Sequence, residues 1–363
     1  MTGRPLDATG LLRDEAEALM AELGQSRYRG RQLFQWVQAR RVTNLGAMTT
    51  LPRTLRATLA ERISVSRPVV VREQRAADGT RKVLFGLRDG EEIESVLIPD
   101  EDRLTACVST QVGCALACRF CLTGLMGMRR NLTPAEIVGE VLALQDSLEP
   151  GTRISNMVLM GMGEPLLNFR AVERALRILC DEYGAGFSPR RITLSTAGHV
   201  PGIRKLAASD LGVNLAVSLN ATTDGMRDRL MPINRRWPIA ELLEACRAYP
   251  LPQRRRLTFE YVMLDGVNDS AEDAQRLARL LCGIRGKINL IPFNVTPDLP
   301  DRPSPRERIE AFQRILCNAH LTATIRESRG QDISAACGML RTGTDRDSTA
   351  KTPPTVKSEP KTG

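Results

Sequence analysis

Apolar residues fall at helical spacing in the first part of the chain, at alternate positions in a short middle section, and in repeated strand-then-helix blocks afterwards. Leu11 to Leu23 carries the helical pattern, and Arg29 to Ala39 repeats it around Leu33, Phe34 and Val37. Pro52 opens a third such run through Leu55 and Leu59. Residues 1–68 are therefore expected to form a small helical unit, with at least two of Tyr28, Phe34 and Trp36 in its core. From Val69 the period changes. Lys82–Leu87 and Glu91–Ile98 read as strands around Asp89-Gly90, a favourable hairpin turn, so 69–100 is expected to be a β-hairpin extension.

From 101 to 341 the pattern alternates. Strands are predicted at Thr105–Thr110, Asn156–Met160, Arg191–Ser195, Val213–Leu219, Leu257–Leu264 and Lys287–Pro292, with a short seventh at Thr322–Arg326. Helices are predicted at Pro134–Leu148, Phe169–Asp181, Ile203–Ser209, Ile239–Ala248, Ala271–Leu281 and Pro305–Ala319. Thr133 with Glu136 forms a capping box, Pro134 suits the first turn, and Ile137, Val141, Leu144 and Leu148 make the buried stripe. Six such units fit an α/β fold with a curved parallel sheet, a partial (βα)6 barrel. The stretch 342–363 is polar, rich in Asp, Thr, Lys and Pro, and is expected to be a disordered tail.

Composition narrows the chemistry. No apolar run approaches a membrane span and no signal peptide is legible, so no membrane and a cytoplasmic location are expected. Basic residues number 51 against 42 acidic, a formal +9, and only six of the 51 are lysine. Arginine clusters such as Arg27-Arg29-Arg31 and Arg254-Arg255-Arg256 suit phosphate recognition, hence nucleic acid; a solvated surface of biased composition is the plainer reading. Two histidines, His199 and His320, leave little support for histidine-based zinc sites or serine–histidine triads.

Nine cysteines without a secretion signal argue for metal or thiol chemistry rather than disulfide scaffolding. Cys180, Cys246, Cys282 and Cys317 lie in helical stretches and are expected in the core. Cys114, Cys118 and Cys121 are different: three thiolates spaced by three and two residues can hold three irons of a cubane and leave the fourth open. Zinc would want a fourth good ligand. Strand ends offer candidate contacts for a bound small molecule: Gly163 and Glu164 after the second strand, Ser195 and Thr196 at the third, Ser218, Leu219 and Asn220 at the fourth, and Asn294 after the sixth; read singly, each is more simply a cap or turn residue.

This CxxxCxxC run, with Phe120 before the last cysteine, resembles the radical S-adenosylmethionine superfamily. That resemblance implies a radical-SAM barrel, one [4Fe–4S] cluster on Cys114, Cys118 and Cys121, and S-adenosylmethionine chelating the open iron. A closer resemblance spans nearly the whole chain. Tyr28–Trp36, Cys107–Cys114, Met160–Asn168, Arg227–Asn234 and Arg329–Gly338 are similar to the dual-specificity ribosomal and transfer RNA adenine-C2 methyltransferases. It implies two S-adenosylmethionine molecules per turnover. Cys337 would first accept a methyl group, the radical derived from the second cofactor molecule would activate it, and addition to C2 would crosslink protein and RNA. Glu94 would take the C2 proton, with Glu91 and Glu92 as alternative carboxylates, and Cys107 would release the product by forming a disulfide with Cys337. Implied substrates are the peptidyl-transferase-centre adenine of 23S rRNA and adenine 37 of tRNA, gripped in part by Arg27, Arg29 and Arg31. Implied partners are a low-potential electron donor such as flavodoxin and a thiol reductant, with the chain acting as a monomer.

One departure stands out: Ser218-Leu219-Asn220 replaces a more usual Ser-Leu-His. Asparagine still donates and accepts, and His199 is expected to be a turn or surface residue rather than a substitute. The nearest rival is the related family that methylates C8 of the same adenine and confers antibiotic resistance, using the same cluster and cysteine pair. A non-catalytic iron–sulfur RNA-binding protein and a zinc-stabilised structural protein are the rivals of other classes.

Overall fold

The computed structural model describes residues 5–342; the polar stretch 343–363 lies outside the described residues. One ten-stranded sheet runs through the larger part of the molecule. Seven parallel strands follow one another in chain order: Arg103–Cys107, Asn156–Leu159, Ile192–Thr196, Asn214–Ser218, Leu257–Met263, Gly286–Pro292 and Thr322–Ile325. The six helical crossovers are Pro134–Asp146, Phe169–Cys180, Val200–Ala207, Ile239–Arg247, Ala271–Leu281 and Arg306–Asn318. This is the partial (βα)6 barrel with its short seventh strand. The strands are nearly continuous apolar runs because helices cover the sheet; Leu194, Leu215, Val217, Phe259 and Leu290 sit in one core with Val138, Leu176, Ile203 and Leu242 of the helices.

Pro134–Asp146 starts as its sequence requires: Glu136 N–H donates to Thr133 Oγ1 at 3.2 Å, and Thr133 N–H donates to Glu136 Oε2 at 2.8 Å. A short helix, Asp224–Leu230, was not expected; at seven residues it shows no period of its own. It packs beside the rim where the third and fourth barrel strands end.

The expected hairpin is part of the same sheet. Arg81–Gly86 and Glu92–Asp100 pair antiparallel, and the latter pairs with the first barrel strand, Val96 opposite Cys107. Gly90 closes the turn at φ +85°. A third strand, Val69–Arg75, extends the expected hairpin to three strands. It escaped the sequence reading because it is an edge: Val69, Val70 and Val71 are all exposed, so no buried alternation marks it.

Three helices, Arg13–Glu22, Arg27–Gln38 and Arg53–Arg62, form the leading unit around Met20, Leu33, Val37, Leu55 and Leu59. Phe34 instead joins the main core, and Trp36 packs on the small one while its indole donates to Thr50 Oγ1 at 2.7 Å. Tyr28 is exposed. The unit is clasped to the barrel by Arg174, which donates to Gly10 O at 2.9 Å and to Glu15, and by an Arg13–Asp181 pair. Two of its arginines, Arg27 and Arg31, share Glu17.

The expectation for the isolated cysteines holds in part. Cys246 is buried and Cys180 half-buried, but Cys282 and Cys317 are exposed. Cys282 ends its helix and Cys317 lies on an outer face, so helical spacing alone misplaced them.

Candidate active site

All the predicted thiol chemistry gathers at the carboxyl rim of the barrel. After the first strand the chain makes a small ladder, Gln111–Gly113 against Met128–Asn131, and the cysteine loop hangs between its halves. Gly113 adopts φ +73°, and a Cβ there would lie 1.9 Å from Gly127 O, so only glycine passes. Cys114 N–H donates to Gly127 O at 2.9 Å and Cys121 N–H to Cys118 O at 3.2 Å, which curls the loop so that all three thiols line one pocket of about 160 Å³.

The second strand delivers the opposite wall. Gly163 lies at φ +101°, with a hypothetical Cβ 2.5 Å from Gln111 Cβ. Met162 O accepts from Thr110 N–H at 2.8 Å, and Glu164 N–H donates to Gln111 Oε1 at 2.8 Å. The glycine-rich turn is thereby fastened directly to the cysteine loop. Buried Glu164 accepts from Ala197 N–H at 2.8 Å and Leu166 N–H at 3.1 Å; burial nevertheless pushes its carboxyl up to about 7. An ammonium group in the pocket would favour its ionised form.

Ser195, Ser218, Asn220 and Asn294 also line the pocket. Asn220 takes φ +55°, which asparagine tolerates, and its Oδ1 accepts from Val262 N–H at 2.8 Å. Leu219 does not line it; its side chain is fully buried and its carbonyl accepts from Arg227 Nε at 3.0 Å. His199 caps the helix Val200–Ala207 through Nδ1 and packs edge-on against Trp237, away from the pocket wall.

Cys337 arrives on the C-terminal loop. Leu122 N–H donates to Gly338 O at 2.7 Å, Thr123 Oγ1 to Leu340 O at 2.7 Å, and Asn294 Nδ2 to Cys337 O at 2.9 Å. Exposed Cys337 lines the main pocket and also a smaller cavity of about 50 Å³ that Cys107 lines as well. Both are free thiols, and burial drives that of Cys107 well above its ordinary range.

Glu94 is not on either wall. It is buried, paired with Lys82 at 3.1 Å, and accepts from Arg341 N–H at 2.8 Å. Burial raises its carboxyl despite those partners. Glu91 instead pairs on the surface with Arg129.

Three charged positions at the rim were given no role from the sequence. Arg227 is fully buried and donates to Leu219 O, Ser218 O at 3.0 Å, Ala197 O at 2.7 Å and Asn234 Oδ1 at 3.1 Å, so one guanidinium ties two strand ends together. Glu260 and Arg326 put opposite charges on the pocket wall. Arg227 and Asn234 sat together in one quoted motif; Glu260 and Arg326 carried no local signal.

The pocket's donor set fits an iron–sulfur cluster. Three soft thiols face one apolar space, and burial holds each above its ordinary value, Cys114 at about 12. Thiolates there require strongly cationic partners such as irons. No three His, Cys, Asp or Glu side chains among the described residues are placed to hold a single metal ion. Spread thiols are what a polynuclear cluster takes, one per iron.

An open barrel whose rim gathers three thiols beside a glycine-rich turn defines a radical SAM enzyme, with a [4Fe–4S] cluster and S-adenosylmethionine as its cofactors. Residues 108–281 match the radical SAM superfamily, and residues 6–65 match the ribosomal RNA large subunit methyltransferase N-terminal domain. The dual-specificity RNA methyltransferase RlmN of Syntrophus aciditrophicus is 52% identical, covering 90% of this chain and 94% of its own. That of Geobacter sulfurreducens is 53% identical, covering 93% and 92%. A crystal structure of a radical SAM methyltransferase from Sphaerobacter thermophilus superposes with a TM-score of 0.88 at 50% identity, over 93% of this chain and 99% of that one. The chain belongs to the RlmN family of dual-specificity RNA methyltransferases. Cys107, Glu94 and Cys337 all fall outside the stretch matched to the superfamily.

Proposed function

We propose that the chain methylates C2 of adenine in 23S rRNA and in tRNA. The observation that carries this reading is the meeting of two thiol sets at one rim: three cysteines on the main pocket, and Cys337 opening onto both that pocket and the cavity of Cys107. C2 is electron-poor and no nucleophile, so ordinary displacement cannot methylate it. When bound, the cluster and S-adenosylmethionine supply an electrophilic methyl group and, from a second cofactor molecule, a 5′-deoxyadenosyl radical.

Cys114, Cys118 and Cys121 hold the cluster, while Gly163, Glu164, Ser195, Ser218, Asn220 and Asn294 orient the cofactor. Cys337 carries the methyl carbon to the base on its exposed loop. Cys107 then attacks Sγ of Cys337. The sulfur–carbon bond breaks, its electron pair passes to the carbon now attached to C2, that carbon takes a proton, and the two cysteines are left as a disulfide. As the carbon joins C2, Glu94 accepts the C2 proton, and the electron left behind would be taken up by the bound cluster. The raised affinity of Glu94 for a proton suits a base. Glu94→Gln should leave Cys337 methylation intact and slow product formation at least tenfold; unchanged turnover removes that role.

A low-potential donor such as flavodoxin feeds the cluster, and a thiol reductant reopens the disulfide. The chain acts as a cytoplasmic monomer. No helix among the described residues is long and apolar enough to cross a membrane.

The test is anaerobic incubation with 23S rRNA or tRNA and methyl-labelled S-adenosylmethionine, followed by nucleoside analysis. Label in 2-methyladenosine is expected; label in 8-methyladenosine would assign the other regiochemistry.

A further inference from the structure

The small cavity raises a problem that Cys107 cannot solve alone. Its thiol is buried on an apolar wall with Ile98, Met160 and Ile291, where burial disfavours the thiolate that must attack Cys337. Three ionisable side chains besides the two thiols line this cavity: Arg326, Glu327 and Arg329. Glu327 is engaged by Arg306 at 2.6 Å, and Arg329 is directed toward Asp100 at 3.9 Å. Arg326 makes no salt bridge among the described residues, and it lines both this cavity and the main pocket. Its guanidinium is held charged foremost by Cys337, against the cost of burial, and further by Glu260, Cys107 and Asp100.

We propose that Arg326 is a positioning residue for product release: its guanidinium, shared by the two cavities, holds Cys107 as a thiolate aimed at Sγ of Cys337. This rests on the reading that Cys107 resolves a covalent state of Cys337.

The fold fixes the main chain of Arg326 at the rim. Arg326 directly follows the last strand, and its N–H donates to Leu290 O at 2.9 Å. Glu260, in the main pocket, accepts from Asn289 at 3.0 Å and leaves its other oxygen without a partner; burial raises its carboxyl, and the charge of Arg326 opposes that rise. The acidic neighbour of Cys107 from the covering helix is Glu140, which opposes a thiolate only when ionised; fully buried, it keeps its proton up to about 8. A guanidinium is suited to the task because it stays charged when half-buried.

The test avoids RNA. In anaerobic holoenzyme, glutathione disulfide converts exposed Cys337 to a mixed disulfide. Cys107 thiolate then attacks Sγ of Cys337, forms the protein disulfide and expels glutathione thiolate. The first-order rate of glutathione release is followed from pH 6.5 to 9.5, with the Cys107–Cys337 peptide identified by mass. Arg326→Gln is expected to slow release about tenfold or more at pH 7 and to recover as pH rises, since a cation favours the thiolate. Arg326→Met should behave alike, and Arg326→Lys should keep most of the rate. A neutral variant whose profile matches wild type, or one slowed by the same factor at every pH, overturns the proposal. Cys107→Ala separates the two readings: if it releases glutathione at the normal rate, the resolving role of Cys107 fails, whatever Arg326 does.

Discussion

Arg227 shows how much a single buried charge can organise. It is the largest fully buried side chain, and burial lowers its guanidinium to about 10, still charged at neutral pH. Its four acceptors are three backbone carbonyls and Asn234, all near the rim that carries Ser218 and Asn220. Removing the donor leaves those acceptors unsatisfied. Arg227→Met should cost about 3–5 kcal/mol of stability, measured by chemical denaturation, and should weaken S-adenosylmethionine binding as the strand ends part. A loss below about 1 kcal/mol would mean the rim holds without it. At this scale the sequence was legible where chemistry repeats in a short window, as in Cys114, Cys118 and Cys121. It was silent for Glu260 and Arg326, which lie 66 positions apart in sequence and meet only across the pocket. Glu94 shows the opposite limit: resemblance marks the residue, but the pairing with Lys82 and Arg341 depends on tertiary packing.

Among the elements, the helix Pro134–Asp146 is the most closely tied to the site. Glu140, buried in its middle, accepts from Ser95 Oγ and Ser109 N–H, both at 2.7 Å. Ser109 Oγ in turn donates to Glu94 O and accepts from Met162 N–H. The helix thus fastens the Glu94 strand, the chain beyond Cys107 and the glycine-rich turn to one another. The other oxygen of Glu140 has no partner, and burial lifts its carboxyl from 4.5 to about 8. The folded protein therefore holds a proton that the unfolded chain releases near pH 4.5. Stability from this group is fully present below that point and declines as pH rises toward 8, by at most about 1.4 kcal/mol per pH unit. Glu140→Gln should flatten that decline in thermal melts and raise the melting temperature at pH 8; an undiminished slope would show the carboxyl ionised when folded. This helix was readable from its capping box and stripe. The edge strand Val69–Arg75 was not, because exposed valines beside charged residues give no alternation to read.

At the scale of the molecule, the site exists because two flanks converge on a superfamily barrel. The strand before it brings Glu94, the first barrel strand ends at Cys107, and the loop after it brings Cys337 between Asn294 and Leu122. The alternation of strand and helix made the barrel legible, while its meeting with both flanks depends on long-range contacts that periodicity does not encode. The whole chemistry depends on Cys114, Cys118 and Cys121 holding a cluster with one iron open to S-adenosylmethionine. Electron paramagnetic resonance of the reduced, anaerobically reconstituted protein tests this most directly. A [4Fe–4S] signal that changes when S-adenosylmethionine is added and is lost in Cys118→Ala is expected. A signal indifferent to the cofactor, or one retained without Cys118, would contradict it.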